Sequence, residues 1–208
     1  MKEKLSILGI RLLEFIFHPL IVVCYAAIVV MECDVFPFMF VSTELKKLVA
    51  ISFLIMTFII PMFYIILLKH YNFIKSYSNF TTRDLMVLLF STSLFFAIMH
   101  IFLSLINAPS ILQIIPMLAI ANNICISIIS IKTKVNVYSM ALSSLLTYFI
   151  FVATAYNSNL LFAIIATSLI IGIINYVFIE HGINTLLSSA ISCGAGIIIT
   201  SISILLIK

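Results

Sequence analysis

A short turn between two apolar segments carries the residues best suited to chemistry. It contains a carboxylate, an imidazole and a glycine in succession, Glu180, His181 and Gly182, and a stretch rich in small residues follows over 186–196. An imidazole titrates near neutral pH and can act as a nucleophile or as a general acid or base. His181 is therefore the first candidate for a catalytic side chain.

A second set of residues could bind phosphate. Five polar side chains fall near the ends of apolar segments, on the side of the turn just described: Lys75, Arg83, Lys132, Lys134 and Tyr138. Lys and Arg form strong charge-assisted hydrogen bonds to phosphate oxygens, so with His181 they would suit an anionic headgroup or a diphosphate. The alternative is the ordinary belt of positive charge on the cytoplasmic face of a membrane protein. The sequence leaves both interpretations open.

The composition indicates which elements must hold these residues. Of the 208 residues, 64% are hydrophobic and only 9% are charged, and the mean hydropathy is +1.32. An ordinary soluble domain is about 25% charged, so a soluble globular domain is excluded. In lipid, only helices and closed barrels satisfy every backbone polar group, and apolar runs of about 20 residues match helices. The sequence therefore predicts an all-α integral membrane protein.

We predict a transmembrane bundle of about seven spans that forms one domain over residues 1–208, without an internal repeat. The spans cover residues 12–31, 47–68, 85–107, 111–131, 137–155, 160–179 and 185–207. Pro61 predicts a kink in the second span. Glu14 and His18 lie four residues apart in the first span and would share one helix face. They either cap that helix near the headgroups or contribute to an interior site.

The distribution of positive charge predicts the orientation. Eight of the eleven Lys and Arg residues lie on the side of the N-terminus: Lys2, Lys4, Arg11, Lys69, Lys75, Arg83, Lys132 and Lys134. The other three, Lys46, Lys47 and Lys208, lie on the opposite side. Because cytoplasmic loops carry an excess of Lys and Arg, this count places the N-terminus in the cytoplasm.

Several polar residues inside the spans have a structural interpretation. Asn122 and Asn123 are adjacent and point in different directions, so at least one should bond to another helix. His100 is interpreted in the same way, as an interhelical hydrogen-bonding residue. The four cysteines lie far apart without metal-ligand spacing and are interpreted as packing residues. We expect no metal or other cofactor and no nucleic-acid partner.

The arrangement resembles the type 2 phosphatidic acid phosphatase superfamily, specifically its small bacterial members. The resemblance rests on Phe15-Ile16-Phe17-His18-Pro19-Leu20 with Tyr25 in the first span, and on the cationic loop after the second span. The Lys-containing turn before the fifth span and the turn around His181 extend it to most of the chain. It implies a phosphatase-like helical core, a bacterial inner membrane, and a lipid phosphate as ligand.

The family uses three motifs, KxxxxxxRP, PSGH and SRxxxxxHxxxD. The resemblance implies that His181 stands at the nucleophile, with Asn175 in place of the family's Arg and Thr185 in place of its Asp. In the second motif, Asn136 replaces Ser and Tyr138 replaces the acid His. In the first, Lys75 and Arg83 are separated by seven residues instead of six, and Asp84 replaces Pro.

These departures imply a much weakened or lost activity. Loss of a general acid costs about 10²- to 10⁴-fold in rate, and a tyrosine, with a pKa near 10, protonates a leaving group poorly. We therefore expect a phosphatase-like membrane protein that binds a lipid phosphate through Lys75, Arg83, Lys132, Lys134, Asn136 and Asn175. One alternative is an active lipid or isoprenoid-diphosphate phosphatase with His181 as nucleophile. Another is a small transporter or a membrane subunit of a larger assembly, with Asn122, Asn123, Asn175 and His100 lining a midplane site.

Overall fold

The computed structural model describes residues 2–33, 35, 36, 38–71, 73 and 82–207, with the side chains of 2–8 and 207 left out. These residues form helices and connecting turns, with no strand among them. The α-helices are α1 Lys2–Ile16, α2 Pro19–Glu32, α3 Thr43–Phe53, α4 Ile60–His70, α5 Thr82–Leu105, α6 Ser110–Ile129, α7 Val137–Tyr156, α8 Leu161–Glu180 and α9 Leu186–Ile207. A 3₁₀ turn, Phe38–Phe40, lies between α2 and α3, and a π-helical segment, Leu54–Ile59, joins α3 to α4.

Six of the predicted spans correspond to helices that are long and apolar enough to cross a membrane. They are the continuous helix Thr43–His70 and the helices α5, α6, α7, α8 and α9, of which α9 qualifies over Leu186–Leu206. The prediction of an all-helical chain is confirmed in this part of the chain, and these six helices could span a membrane. Such a set of helices is compatible with an integral membrane protein.

The first predicted span is not one helix. α1 ends at Ile16, and α2 begins at Pro19 after a bend of 53°. Proline lacks the N–H that would continue the ladder of α1, but fits the first turn of a new helix. The imidazole of His18 caps this new helix, because its Nδ1 accepts a hydrogen bond from the Leu20 N–H at 3.4 Å. Glu14 and His18 therefore neither share a helix face nor form the predicted capping pair, and His18 alone caps α2.

The second span is continuous but locally altered before Pro61. The N–H of Ile60 bonds to Ile55 O, five residues back, which is the π-helical pattern. Within this segment the Thr57 hydroxyl donates to Phe53 O at 2.8 Å and lies 3.1 Å from the Cys24 Sγ of α2. The predicted position of the kink, Pro61, thus directly follows a helical turn that is widened to the π-helical pattern.

The core of the bundle lies around α2 and α7, and α9 packs against α7 more extensively than any other described pair of helices. At Gly196 the two helices approach each other closely. A Cβ added there would lie 2.2 Å from Ser143 Oγ and 2.6 Å from the Met140 carbonyl oxygen. Glycine is thus required because the backbone of α7 occupies the space that a side chain would need.

The polar residues inside the spans bond between helices, as predicted. Asn122 Nδ2 donates to Ser144 Oγ of α7 at 2.7 Å, and Asn123 Nδ2 donates to Thr92 Oγ1 of α5 at 3.0 Å. His100 Nδ1 lies 3.1 Å from the Gln113 carbonyl oxygen, across the α5–α6 hairpin. Asn122 therefore joins α6 to α7, and Asn123 and His100 both join α5 to α6.

Candidate functional site

The predicted second motif forms the beginning of α7. Asn136 is the N-cap of that helix, and its Oδ1 accepts a hydrogen bond from the Ser139 N–H at 3.3 Å. Its Nδ2 donates to Ser189 Oγ at 3.2 Å and to Asn175 Oδ1 at 3.3 Å. Because asparagine is among the best N-cap residues, the local sequence explains why α7 begins here. Asn136 is buried and joins three helices.

Asn175 of α8 completes this junction. Its Oδ1 accepts hydrogen bonds from Asn136 and from the Ser139 hydroxyl, and its Nδ2 donates to Cys193 Sγ at 3.7 Å. Both the oxygen and the nitrogen of this amide are thus hydrogen-bonded. Asn136 and Asn175 were each predicted as binding residues, and the structure brings their two amides together between α7, α8 and α9.

Serines on α9 supply the third side of the junction. Ser192 Oγ accepts from the Asn136 N–H at 2.8 Å, and Ser188 Oγ donates to the Lys134 carbonyl at 2.7 Å. We call the group Asn136, Ser139, Asn175, Ser188, Ser189, Ser192 and Cys193 the polar junction. Sequence reasoning noticed the small residues of α9 without assigning them partners. Their repeat at intervals of three and four residues was the signal that they share one helix face.

Lys134 connects two turns at this end of the bundle. Its side chain is exposed, and its Nζ donates to the Ile183 carbonyl oxygen at 2.5 Å. This contact ties the turn at 130–136 to the turn at 181–185, which carries His181. Lys132, in the first of these turns, is also exposed.

Tyr138 does not join the polar junction. Its ring packs edge-on against Phe178, with centroids 5.2 Å apart, and against His18, with centroids 6.3 Å apart. The phenol that would occupy the position of the family's general acid is therefore held between an aromatic residue of α8 and the cap of α2.

The turn around His181 is stabilised by backbone bonds and by a helix cap. His181 is the C-cap of α8, and its side chain is exposed and has no hydrogen-bond partner among the described residues. Gly182 adopts a φ of +67°, which glycine tolerates well. Thr185 Oγ1 accepts from the Ser188 N–H at 3.1 Å, so the residue at the position of the family's Asp caps α9.

Two predicted binding residues, Lys75 and Arg83, remain. Lys75 lies outside the described residues. Arg83 is exposed near the start of α5, and no hydrogen bond or ion pair within the described part of the chain joins it to the polar junction. In the same part, no three His, Cys, Asp or Glu side chains lie close enough together to hold a metal ion.

A groove of about 210 Å³ opens beside the polar junction. It lies between α8 and α9 and is lined by Asn175, Ile179, Leu186, Ser189, Ala190 and Cys193. Comparison with known protein families, with curated proteins and with solved structures gives no match to this chain.

The midplane site of the transporter interpretation is not assembled. His100 bonds near the α5–α6 turn, Asn123 bonds to α5, and Asn122 bonds to α7. Asn175 is engaged in the polar junction, near the C-terminal end of α8. The four side chains therefore belong to separate interhelical contacts.

Proposed function

We propose that this chain is an integral membrane protein with a phosphatase-like helical core that has lost catalysis and binds a lipid phosphate. The binding site lies at the paired turns 130–136 and 181–185, and Lys134 is its central cation. By the positive-inside count, these turns and the N-terminus face the cytoplasm, in a bacterial inner membrane.

The observation that carries the proposal is the contact between Lys134 and Ile183. An ammonium group has three N–H donors, and one of them is occupied by the carbonyl at 2.5 Å. The other two remain available on an exposed side chain. Lys132 and His181 each lie two residues from one partner of this bond, so we expect their side chains in the same surface region as Lys134, where a phosphate would accept hydrogen bonds from them.

The residues at the motif positions cap helices, hold helices together or pack against rings, and these structural roles support the loss of catalysis. Asn136 and Thr185 cap α7 and α9, Asn175 is engaged within the polar junction, and Tyr138 packs between aromatic rings. A histidine nucleophile needs a partner that fixes its tautomer, and a transferred phosphoryl group needs cations around its oxygens. His181 has no such partner among the described residues.

Lipid binding tests the proposed site. Lys134→Ala should weaken binding of the purified protein to vesicles containing phosphatidic acid by about tenfold, since a hydrogen bond to a charged group contributes about 1.5–3 kcal/mol and this site is exposed to solvent. Lys47→Ala is the matched control, because Lys47 is an exposed lysine at the opposite end of the bundle. Equal affinities of the two variants, or equal binding to phosphatidylcholine vesicles, would contradict the proposal.

Phosphate release tests the loss of catalysis separately. We expect no turnover of phosphatidic acid or isoprenoid diphosphates above background, and no change in His181→Ala. Turnover that disappears in His181→Ala would establish the alternative, an active phosphatase with His181 as nucleophile. Binding and turnover are independent measurements, so one half of the proposal can fail without the other.

A further inference from the structure

A second groove lies on the exposed side of the α5–α6 hairpin. It has a volume of about 440 Å³, and its lining residues are Met86, Val87, Phe90, Ser91 and Ser127. Phe90 is 81% exposed, so this hairpin groove opens away from the protein interior. Both helices are long and apolar enough to cross a membrane, and in a membrane the groove would open toward lipid.

The walls of the hairpin groove suit an apolar occupant. Ser91 Oγ donates to the Val87 carbonyl oxygen at 2.7 Å, and Ser127 Oγ donates to the Asn123 carbonyl oxygen at 2.8 Å. Each hydroxyl thus uses its hydrogen within its own helix. The other three lining side chains are apolar.

Arg83 lies at one end of the hairpin groove. It precedes Val87 by four residues and Phe90 by seven, so all three share one face of α5. Its side chain is exposed, and because side chains on a helix tilt toward the N-terminus, it extends away from the middle of α5. The neighbouring acid, Asp84, is 6% exposed and does not line the groove.

Lys132 lies at the same end of the groove. α5 and α6 form an antiparallel hairpin, and Ser127 of α6 lies beside residues 86–91 of α5. From the groove, the direction toward the N-terminus of α5 leads to Arg83. The same direction along α6 leads past its last residue, Ile129, to Lys132, which is also exposed. Two cations therefore lie at one end of an apolar groove.

The depth of the groove matches the first part of an acyl chain. α5 has 24 residues and is about 36 Å long, which exceeds the hydrocarbon core of about 30 Å. Residues 86–91 lie about 6–14 Å from the N-terminal end of α5, and Arg83 lies in its first turn. The cations are therefore near the level of the lipid phosphates, and the groove lies below them, among the acyl chains.

A phospholipid fits this surface better than a second protein helix does. Helices in lipid approach each other closely through small residues, whereas Met86, Val87 and Phe90 are large. A flexible acyl chain can follow such a surface. Arginine and lysine also form strong charge-assisted hydrogen bonds to phosphate oxygens.

We infer that the hairpin groove binds an anionic phospholipid, with one acyl chain in the groove and the phosphate against Arg83 and Lys132. A headgroup with its own ammonium group binds less well, because that group would meet the two cations. This site goes beyond the proposed lipid-phosphate site, since Lys134 and His181 take no part in it and only Lys132 is common to both.

Tryptophan fluorescence tests this site, because the chain contains no tryptophan. Phe90→Trp introduces a reporter into the groove, and Ile173→Trp, at an exposed position of α8, is the control. Phe90 lies eight residues from the start of α5 at Thr82, and Ile173 lies seven residues from the end of α8 at Glu180, so their depths from the same side are similar. Each variant is reconstituted in mixtures of phosphatidylglycerol and phosphatidylcholine, one of which carries brominated chains.

We expect the groove reporter to show a preference for phosphatidylglycerol over phosphatidylcholine of about fivefold, the size expected for a cation that meets an anionic lipid. The control reporter should show about equal binding of the two lipids. In the Phe90→Trp background, Arg83→Ala should remove most of the preference, whereas Arg83→Lys keeps the charge and should retain it. Lys134→Ala should leave the preference unchanged, which separates this test from that of the proposed lipid-phosphate site.

Three results would overturn the inference. Equal preferences at the two reporters, or a preference that survives Arg83→Ala, would show that the groove does not select this lipid through its cations. No quenching of Phe90→Trp by either brominated lipid would show that protein, such as a second copy of this chain, covers the groove. Because Phe90 is mostly exposed, its replacement by another aromatic residue should leave the packing of α5 and α6 intact.

Discussion

α9 packs closely against α7, although α8 lies between them in sequence. With α8, its neighbour in sequence, α9 makes few contacts. The α7–α9 contact contains hydroxyl groups and Gly196, and the α7 backbone lies directly against that glycine. α8 is apolar on nearly all sides, and its exposed residues include Leu161, Phe162, Ile165, Leu169, Ile173 and Tyr176.

This difference shows what selects helix partners in lipid. Burying leucine or isoleucine against another helix gains little over burying it among acyl chains, so apolar surface does not choose a partner. Small residues allow close approach, and hydroxyls and amides must find bonding partners within the protein. α8 is accordingly held near its C-terminal end by Asn175, its contribution to the polar junction.

Gly196→Ala should break the α7–α9 contact and cause the largest loss of unfolding free energy. The added methyl group would collide with the Met140 carbonyl, which is fixed within α7, and we expect a loss of about 3 kcal/mol in unfolding free energy. The measurement is unfolding in a graded mixture of mild detergent and SDS, followed by circular dichroism.

Gly194→Ala is the matched control for this substitution. It lies one half-turn away in the same helix, and nothing lies within 4 Å of its added Cβ. It should be neutral or slightly stabilising, because alanine favours helix more than glycine does. If the two variants unfolded alike, the close approach of α7 and α9 would be refuted.

Asn136→Ala should loosen the α7–α9 contact at the end of α7 to which α8 is also bonded. The variant loses the N-cap of α7, which is worth about 1 kcal/mol, and two interhelical bonds worth about 0.6 kcal/mol each. We expect a loss of about 2 kcal/mol in the same unfolding measurement. Asn159→Ala, in the exposed turn before α8, serves as control and should change stability little. An equal loss in both variants would argue against the polar junction.

Asn122→Leu should have the smallest effect on the unfolding free energy, which distinguishes this amide from those of the polar junction. Asn122 Nδ2 bonds to Leu118 O and Ser144 Oγ, but its buried Oδ1 has no hydrogen-bond partner among the described residues. Replacement by an apolar residue removes that unpaired oxygen, and Ser144 keeps Thr200 Oγ1 at 2.6 Å. We expect a change within about 0.5 kcal/mol. A loss as large as that of Asn136→Ala would show that this amide matters as much as the polar junction.

The site was predictable only in part, for identifiable reasons. Asn136 and Asn175 were each predicted as binding residues, but their bond to each other was not predicted, because they lie 39 residues apart on different helices. Tyr138 could not be placed in advance, because its direction depends on Phe178 and His18, which come from two other helices. Lys134 was noted as a cation, but its bond to Ile183 joins residues far apart in sequence.

The sequence by itself determined the helical membrane character and the approximate spans, because the apolar length needed to cross a bilayer is a local property of the chain. It also indicated that His100 and at least one of Asn122 and Asn123 would bond across helices, because an unpaired polar group in lipid is costly. Only the tertiary structure decided that the first span breaks at His18, and that α9 packs on α7 instead of α8. Those outcomes depend on which small and polar surfaces meet, and apolar helices of equal length differ too little in lipid for the pattern alone to choose.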